Sequence, residues 1–258
     1  MRLDVLQAWP RPKHLAPGSR PGDRSALAQL AEREGELRTL APEVAVAASS
    51  VAADPVEALE AAARDAAVLV LGSRGLGTLR GFLVGSVSQE VLRRADCPVV
   101  LVRAEGDGPA GDEPAGSEVT VGLDLAHPAD AVLAFAFEAA ALREAPLRVV
   151  HVWSPPAGSE HMSYGAIGGL EREVSAEEHG GLAQALDPWR ARHPEVTVTA
   201  ELVRGKAAVA LVDAAAPARL LVVGRRTRRL PLRHHHLGPV AHAAIHHVHC
   251  PVAVVPYG

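Results

Sequence analysis

Apolar residues along this chain fall into short β-branched runs separated by longer stretches in which they recur every three or four positions, the alternation expected of strands and helices in turn. The runs Leu3–Trp9, Val44–Val51, Val68–Leu71 and Val99–Val102 read as strands of a first half. Val119–Leu125, Leu147–Trp153, Val196–Val203, Leu220–Gly224 and Val252–Val255 read as those of a second. Helices are predicted between them. One starts near Asp23, an N-cap, and carries Leu27, Leu30, Ala31 and Leu37; one starts at Asp54-Pro55 by the rule of cap then proline; one starts at Gly85-Ser86. In the second half, residues 129–143 place Val132, Phe135, Ala139 and Leu142 on one face. A long helical region follows, with Gly180-Gly181 and Asp187-Pro188 expected to interrupt it, then helices at 206–214 and from Gly238-Pro239. Strands alternating with helices imply parallel sheets covered on both faces.

The pattern repeats. Leu3-Asp4-Val5-Leu6-Gln7-Ala8-Trp9 returns as Leu147-Arg148-Val149-Val150-His151-Val152-Trp153, Gly72 as Gly224, and Cys97-Pro98-Val99 as Cys250-Pro251-Val252. An offset of roughly 150 residues is too long for a solenoid and marks a duplicated domain. The expected division is residues 1–103, a linker at 104–117 rich in Gly, Pro and acidic residues, and residues 118–258. The copies differ in one respect. The strand and helix at 118–146 have no counterpart in the first half, because Met1 aligns with Ala145.

Within 68–103 lies the stretch with the most chemistry: an apolar strand, a glycine-rich loop with Gly72, Gly75 and Gly85, then Ser86 at a helix entrance. Glycine reaches positive φ cheaply and lets other atoms approach the backbone, while the first amides of a helix and its dipole favour an anion such as phosphate. The loop lacks the lysine of G-x-x-x-x-G-K-[ST] and the tight spacing of G-x-G-x-x-G. Its own spacing, Gly72-x2-Gly75-x9-Gly85-Ser86, closely resembles the nucleotide-binding loop of the universal stress protein family.

That resemblance implies two tandem doubly wound α/β domains of strand order 3-2-1-4-5, the first incomplete, with a ligand at the switch point beside the central strand. It implies ATP or another adenine nucleotide as ligand. The aspartate ending strand 1 contacts adenine, the end of strand 2 flanks it, and the glycines and serine hold ribose and phosphates. On this chain those positions are Gly72, Gly75, Gly85, Ser86 and Ala8 in the first half, whose strand 1 is missing, and Asp124 and Val152 in the second. The second loop reads Gly224-Arg225-Arg226-Thr227 and Gly238-Pro239, and its proline removes both a hydroxyl and an amide donor. Nucleotide is therefore expected in the first half only, and weakly or not at all without strand 1. A start codon roughly 25–35 codons upstream would supply the missing strand and helix; the rival is a slot filled by a partner chain, with self-association expected while the slot is open. The family's dimers meet through final strands, so Val99–Val102 and Val252–Val255 are expected to pair within this chain. The implied role is a stress-response regulator in the cytoplasm. A nucleotide-free interaction scaffold and a slow ATP hydrolase are the alternatives.

Composition narrows the classes. The chain of 258 residues carries a net charge of −4, which argues against non-specific nucleic-acid binding, and with only 3% aromatics its cores must be built from Val, Leu and Ala. No apolar run approaches the ~20 residues that span a bilayer, and the first residues lack a signal-peptide profile. Cys97 and Cys250 read as small buried hydrophobes. The run Arg225, Arg226, Arg228, Arg229 and Arg233 could hold phosphates or form a solvated loop. His242 and His246, at i and i+4, suit a metal only in principle, since no acidic or cysteine ligand completes the set, and no metal is expected. His151 reads as a satisfied core or edge residue. No nucleophile elbow or paired carboxylates are found, so no catalytic residues are assigned.

Overall fold

The computed structural model describes residues 2–9, 22–72, 84–102, 116–127, 130–155, 164–227 and 236–258. In chain order these form β1 (Arg2–Trp9), α1 (Gly22–Leu40), β2 (Ala45–Ala52), α2 (Pro55–Ala63), β3 (Leu69–Gly72), α3 (Ser86–Arg94), β4 (Val99–Val102), β5 (Glu118–Leu123), α4 (Asp130–Ala141), β6 (Leu147–Trp153), α5 (Tyr164–Arg192), β7 (Val198–Arg204), α6 (Ala207–Ala214), β8 (Ala218–Arg226), α7 (Pro239–His247) and β9 (Val252–Tyr257). The chain divides into two compact units, Met1–Ala66 and Ala67–Gly258.

In the smaller unit β1 and β2 pair in parallel, Leu3 opposite Val46 and Ala8 opposite Val51. Asp54 caps α2 as its sequence predicts, accepting from the amides of Val56 and Glu57, with Pro55 at the first helical position. Two strands offer too little sheet to bury the helices they carry. Among the described residues of this unit only Val46 and Ala63 are buried apolar side chains, and Leu27, one of the periodic apolar positions of α1, is exposed.

The larger unit holds a seven-stranded sheet of order β3-β4-β9-β8-β5-β6-β7. Its last five strands are parallel and give the predicted 3-2-1-4-5 order within the second half. One face is covered by α4 and α5, whose Phe137, Leu133, Leu182 and Leu186 lock onto Val119, Val121 and Val149. Leu211 and Ala214 of α6 meet Val150 on the other. At the remaining end β4 pairs with β9 antiparallel, Val99 opposite Val254 and Leu101 opposite Val252, the pairing of final strands that two short apolar edges favour.

Two helical expectations are corrected. α5 runs unbroken through Gly180-Gly181 and Pro188, because Leu182, Leu186 and Trp189 bury one face against the core and outweigh the local breakers. On α4 the buried residues are Val132, Leu133, Ala136, Phe137, Ala139 and Ala140, a wider arc than a single stripe because the helix packs against both sheet and α5, whereas Leu142 falls in the turn just past its end and is 84% exposed.

Candidate functional site

β3 delivers the chain to Gly72, and α3 resumes with Gly85 as its N-cap. No side chain caps this end; the helix's first bond runs from the Gln89 amide to the Gly85 carbonyl at 3.0 Å, so the amides of Ser86, Val87 and Ser88 precede the ladder. Gly72, Val84, Gly85 and Ser88 line a small apolar cavity of about 30 Å3 together with Leu101, Val102, Ile245, Cys250 and Val252. Ser86 is exposed at the first helical position. Gly75 lies outside the described residues.

The reason for glycine differs from the one expected. Gly85 has φ −60° and ψ 152°, and neither it nor Gly72 is among the described residues with positive φ. What glycine supplies is room: among the described residues, a Cβ at Gly72 or at Gly85 would meet no atom within 4 Å.

In the second half the chain itself fills the corresponding room. A Cβ at Gly224 would lie 2.6 Å from the Tyr257 ring, and Thr227 fastens that residue by donating from its hydroxyl (3.0 Å) and its amide (2.7 Å) to the Tyr257 carbonyl. Burial, with help from the Asp124 charge, raises the Tyr257 phenol's pKa above its ordinary value, while Arg226 opposes the shift. Asp124, just past β5, is engaged as well: it accepts from the Ala126 amide at 3.0 Å and from His127 Nδ1 at 2.9 Å. His127 Nε2 lies 2.7 Å from a guanidinium nitrogen of Arg226. Arginine only donates, so Nε2 accepts and Nδ1 carries the hydrogen. Pro239 takes the first position of α7, where α3 has Ser86. The sequence reading missed His127 and Tyr257. An i, i+3 pair after a strand was the only signal for the first; nothing local announces that Tyr257 will fold over Gly224.

Of the residues expected at the site, Gly72 and Gly85 come together on one cavity and Ser86 follows directly. Ala8 belongs to the smaller unit, in register with Val51. Val152 packs with Val150 and Leu211 in the core beneath α6. Arg225 is corrected: it is 4% exposed and donates to the carbonyls of Arg93 (2.9 Å) and Ala95 at the C-terminus of α3, so it holds no phosphate. Burial lowers its pKa and Asp96 opposes this; placing a cation against a helix C-terminus offsets part of the desolvation cost. Arg228, Arg229 and Arg233 lie outside the described residues. Buried His151 bonds to the Leu123 carbonyl (2.8 Å) and to Glu178 (3.1 Å), the satisfied core role expected. The rings of His242 and His246 are 4.6 Å apart, and among the described residues no three His, Cys, Asp or Glu side chains gather as a metal would need. No helix among those residues is long and apolar enough to cross a membrane.

Five parallel strands in the order 3-2-1-4-5 with helices on both faces define a doubly wound α/β protein. The model of the universal stress protein family matches this chain twice, over residues 2–103 and 117–256, and the chain belongs to that family. It is 34% identical over 212 residues to universal stress protein Rv2005c of Mycobacterium tuberculosis, covering 82% of this chain and 69% of that one. The crystal structure of a universal stress protein from Archaeoglobus fulgidus superposes with a TM-score of 0.61 at 20% identity, covering 100% of this chain and 88% of its own. Protein PA1789 of Pseudomonas aeruginosa gives 0.62 at 16% identity, covering 98% and 92%. Both confirm the fold.

Proposed function

We propose that this chain is a stress-response regulator that takes ATP or another adenine nucleotide at the first-half loop, with Gly72, Gly75, Gly85 and Ser86 against ribose and phosphates. The observation that carries the reading is the contrast in occupancy. Among the described residues a Cβ at Gly72 would meet nothing whereas Tyr257 covers Gly224, and Pro239 stands where α3 has Ser86; Gly85 and Gly238 are open alike, each at a helix entrance without a side-chain cap. A phosphate there would take the amides that precede the α3 ladder, with the dipole adding about 0.3–1 kcal/mol at an exposed end. Asp124 and Val152 belong to the second half's crevice, where Asp124 is already bonded to His127; no nucleotide is assigned to it.

Calorimetric titration of the full chain with ATP tests this. A weak saturable heat is expected, lost in Gly85→Val, while the N-cap exchange costs stability less than about 1 kcal/mol. Equal heats for both chains, or none for either, would overturn it.

A second reading, a nucleotide-free scaffold, is favoured by one observation: β4 and β9 join the halves through backbone bonds that need no ligand. Under it, neither chain gives heat and the fold is unchanged.

A further inference from the structure

The seven-stranded sheet ends on two unlike edges. β7 carries Thr199, Glu201 and Arg204, with Glu201 paired to Arg148 and Arg204 to Glu171, the charged dressing that discourages strand addition. β3 reads Leu-Val-Leu-Gly and carries no charge.

The repeat shows what fits the second edge. The Leu69 amide donates to the Pro98 carbonyl at 2.9 Å just as the Leu221 amide donates to that of Pro251 at 3.0 Å, so Leu69 corresponds to Leu221 and Val70 to Val222. Backbone groups alternate sides along a strand, so the amide and carbonyl of Val70 point away from β4, as those of Val222 point from β9 towards β5. On β8 that side is taken by β5 in parallel, with α4 lying over the same face, and Val222 is 0% exposed. On β3, Val70 is 57% and Val68 39% exposed.

We propose that the outer edge of β3 is a docking edge for another polypeptide that presents an uncharged β-branched strand in parallel, followed by a helix that covers Val68 and Val70. This goes beyond nucleotide binding and does not depend on it.

The probe is a synthetic peptide with this chain's own sequence 118–142, added to the full chain and read by hydrogen exchange. The Val70 and Gly72 amides should slow at least tenfold while those of Leu69 and Leu71, already bonded to β4, stay as they were. Val70→Pro removes only the outward donor and should weaken the peptide about tenfold; Val70→Lys, which keeps the donor but charges the face, should weaken it too. Unchanged exchange at saturating peptide, or equal protection by a scrambled peptide, would overturn the proposal. So would Val70 and Gly72 amides already slow without peptide in a chain of doubled mass by light scattering, because a second copy would then hold the edge.

Discussion

β3 and β8 start from nearly the same sequence and end in different circumstances. Both carry an apolar run into a glycine, Gly72 and Gly224, both donate an amide to a proline carbonyl of a Cys-Pro turn, and both precede a helix entered through glycine, although β8 runs on to Arg226 where β3 ends at Gly72. β8 lies inside a sheet with β5 and β9 on its flanks and Tyr257 folded over Gly224; β3 has β4 on one flank and nothing over Gly72 among the described residues. Duplication thus kept the strand-loop-helix chassis in both copies. One copy covers its strand-end glycine with the ring of Tyr257, and in the other no described residue lies over Gly72.

Breaking the seam should have the largest effect. Arg225 reaches from β8 to the last carbonyls of α3, so Arg225→Met leaves those acceptors without their buried donor and should cost about 2–4 kcal/mol. A urea melt followed by hydrogen exchange at Val99–Leu101 checks this; if these amides keep their protection, Arg225 does not hold the two halves together. A paired truncation comes next. Val222→Ala removes methyl groups from a filled core and should cost about 2 kcal/mol, whereas Val70→Ala should stay within about 0.5 kcal/mol. Equal losses in chemical denaturation would mean that β3 is as covered as β8.

The smallest effect concerns Tyr257. Its raised pKa favours the neutral phenol in the folded chain, so the associated stability is fully present below the unfolded pKa of about 10 and is lost as pH climbs through the higher folded value. In a Tyr164→Phe background, phenolate absorbance should report that raised pKa. Asp124→Asn should move it part of the way back, since burial, the larger cause, remains. No movement would show that Asp124 does not reach the ring.

Much of the fold is legible in the residues alone. The Asp54-Pro55 cap and the ends of β4 and β6 follow from local signals of known range, capping, β-branching and alternation, whereas the 3-2-1-4-5 order of the second half was implied by the resemblance of the glycine loop to a known family. Misreadings cluster where a local signal met a distant neighbour. Gly180, Gly181 and Pro188 are breakers in isolation, yet sit in a continuous helix because the core rewards its buried face. Arg225 looked like one of a basic run and is instead an anchor aimed at carbonyls 130 and 132 residues away in sequence.

Sequence by itself determined the duplication, the strand-helix alternation and the place of the glycine loop, because each is written in spacing within one element or its repeat. Only the tertiary structure decided that Arg225 anchors the end of α3, that Tyr257 occupies the room over Gly224, and that neither Gly72 nor Gly85 is held at positive φ. Those outcomes depend on which atoms from remote positions meet, and a residue's own type and neighbours in the chain do not contain that distance.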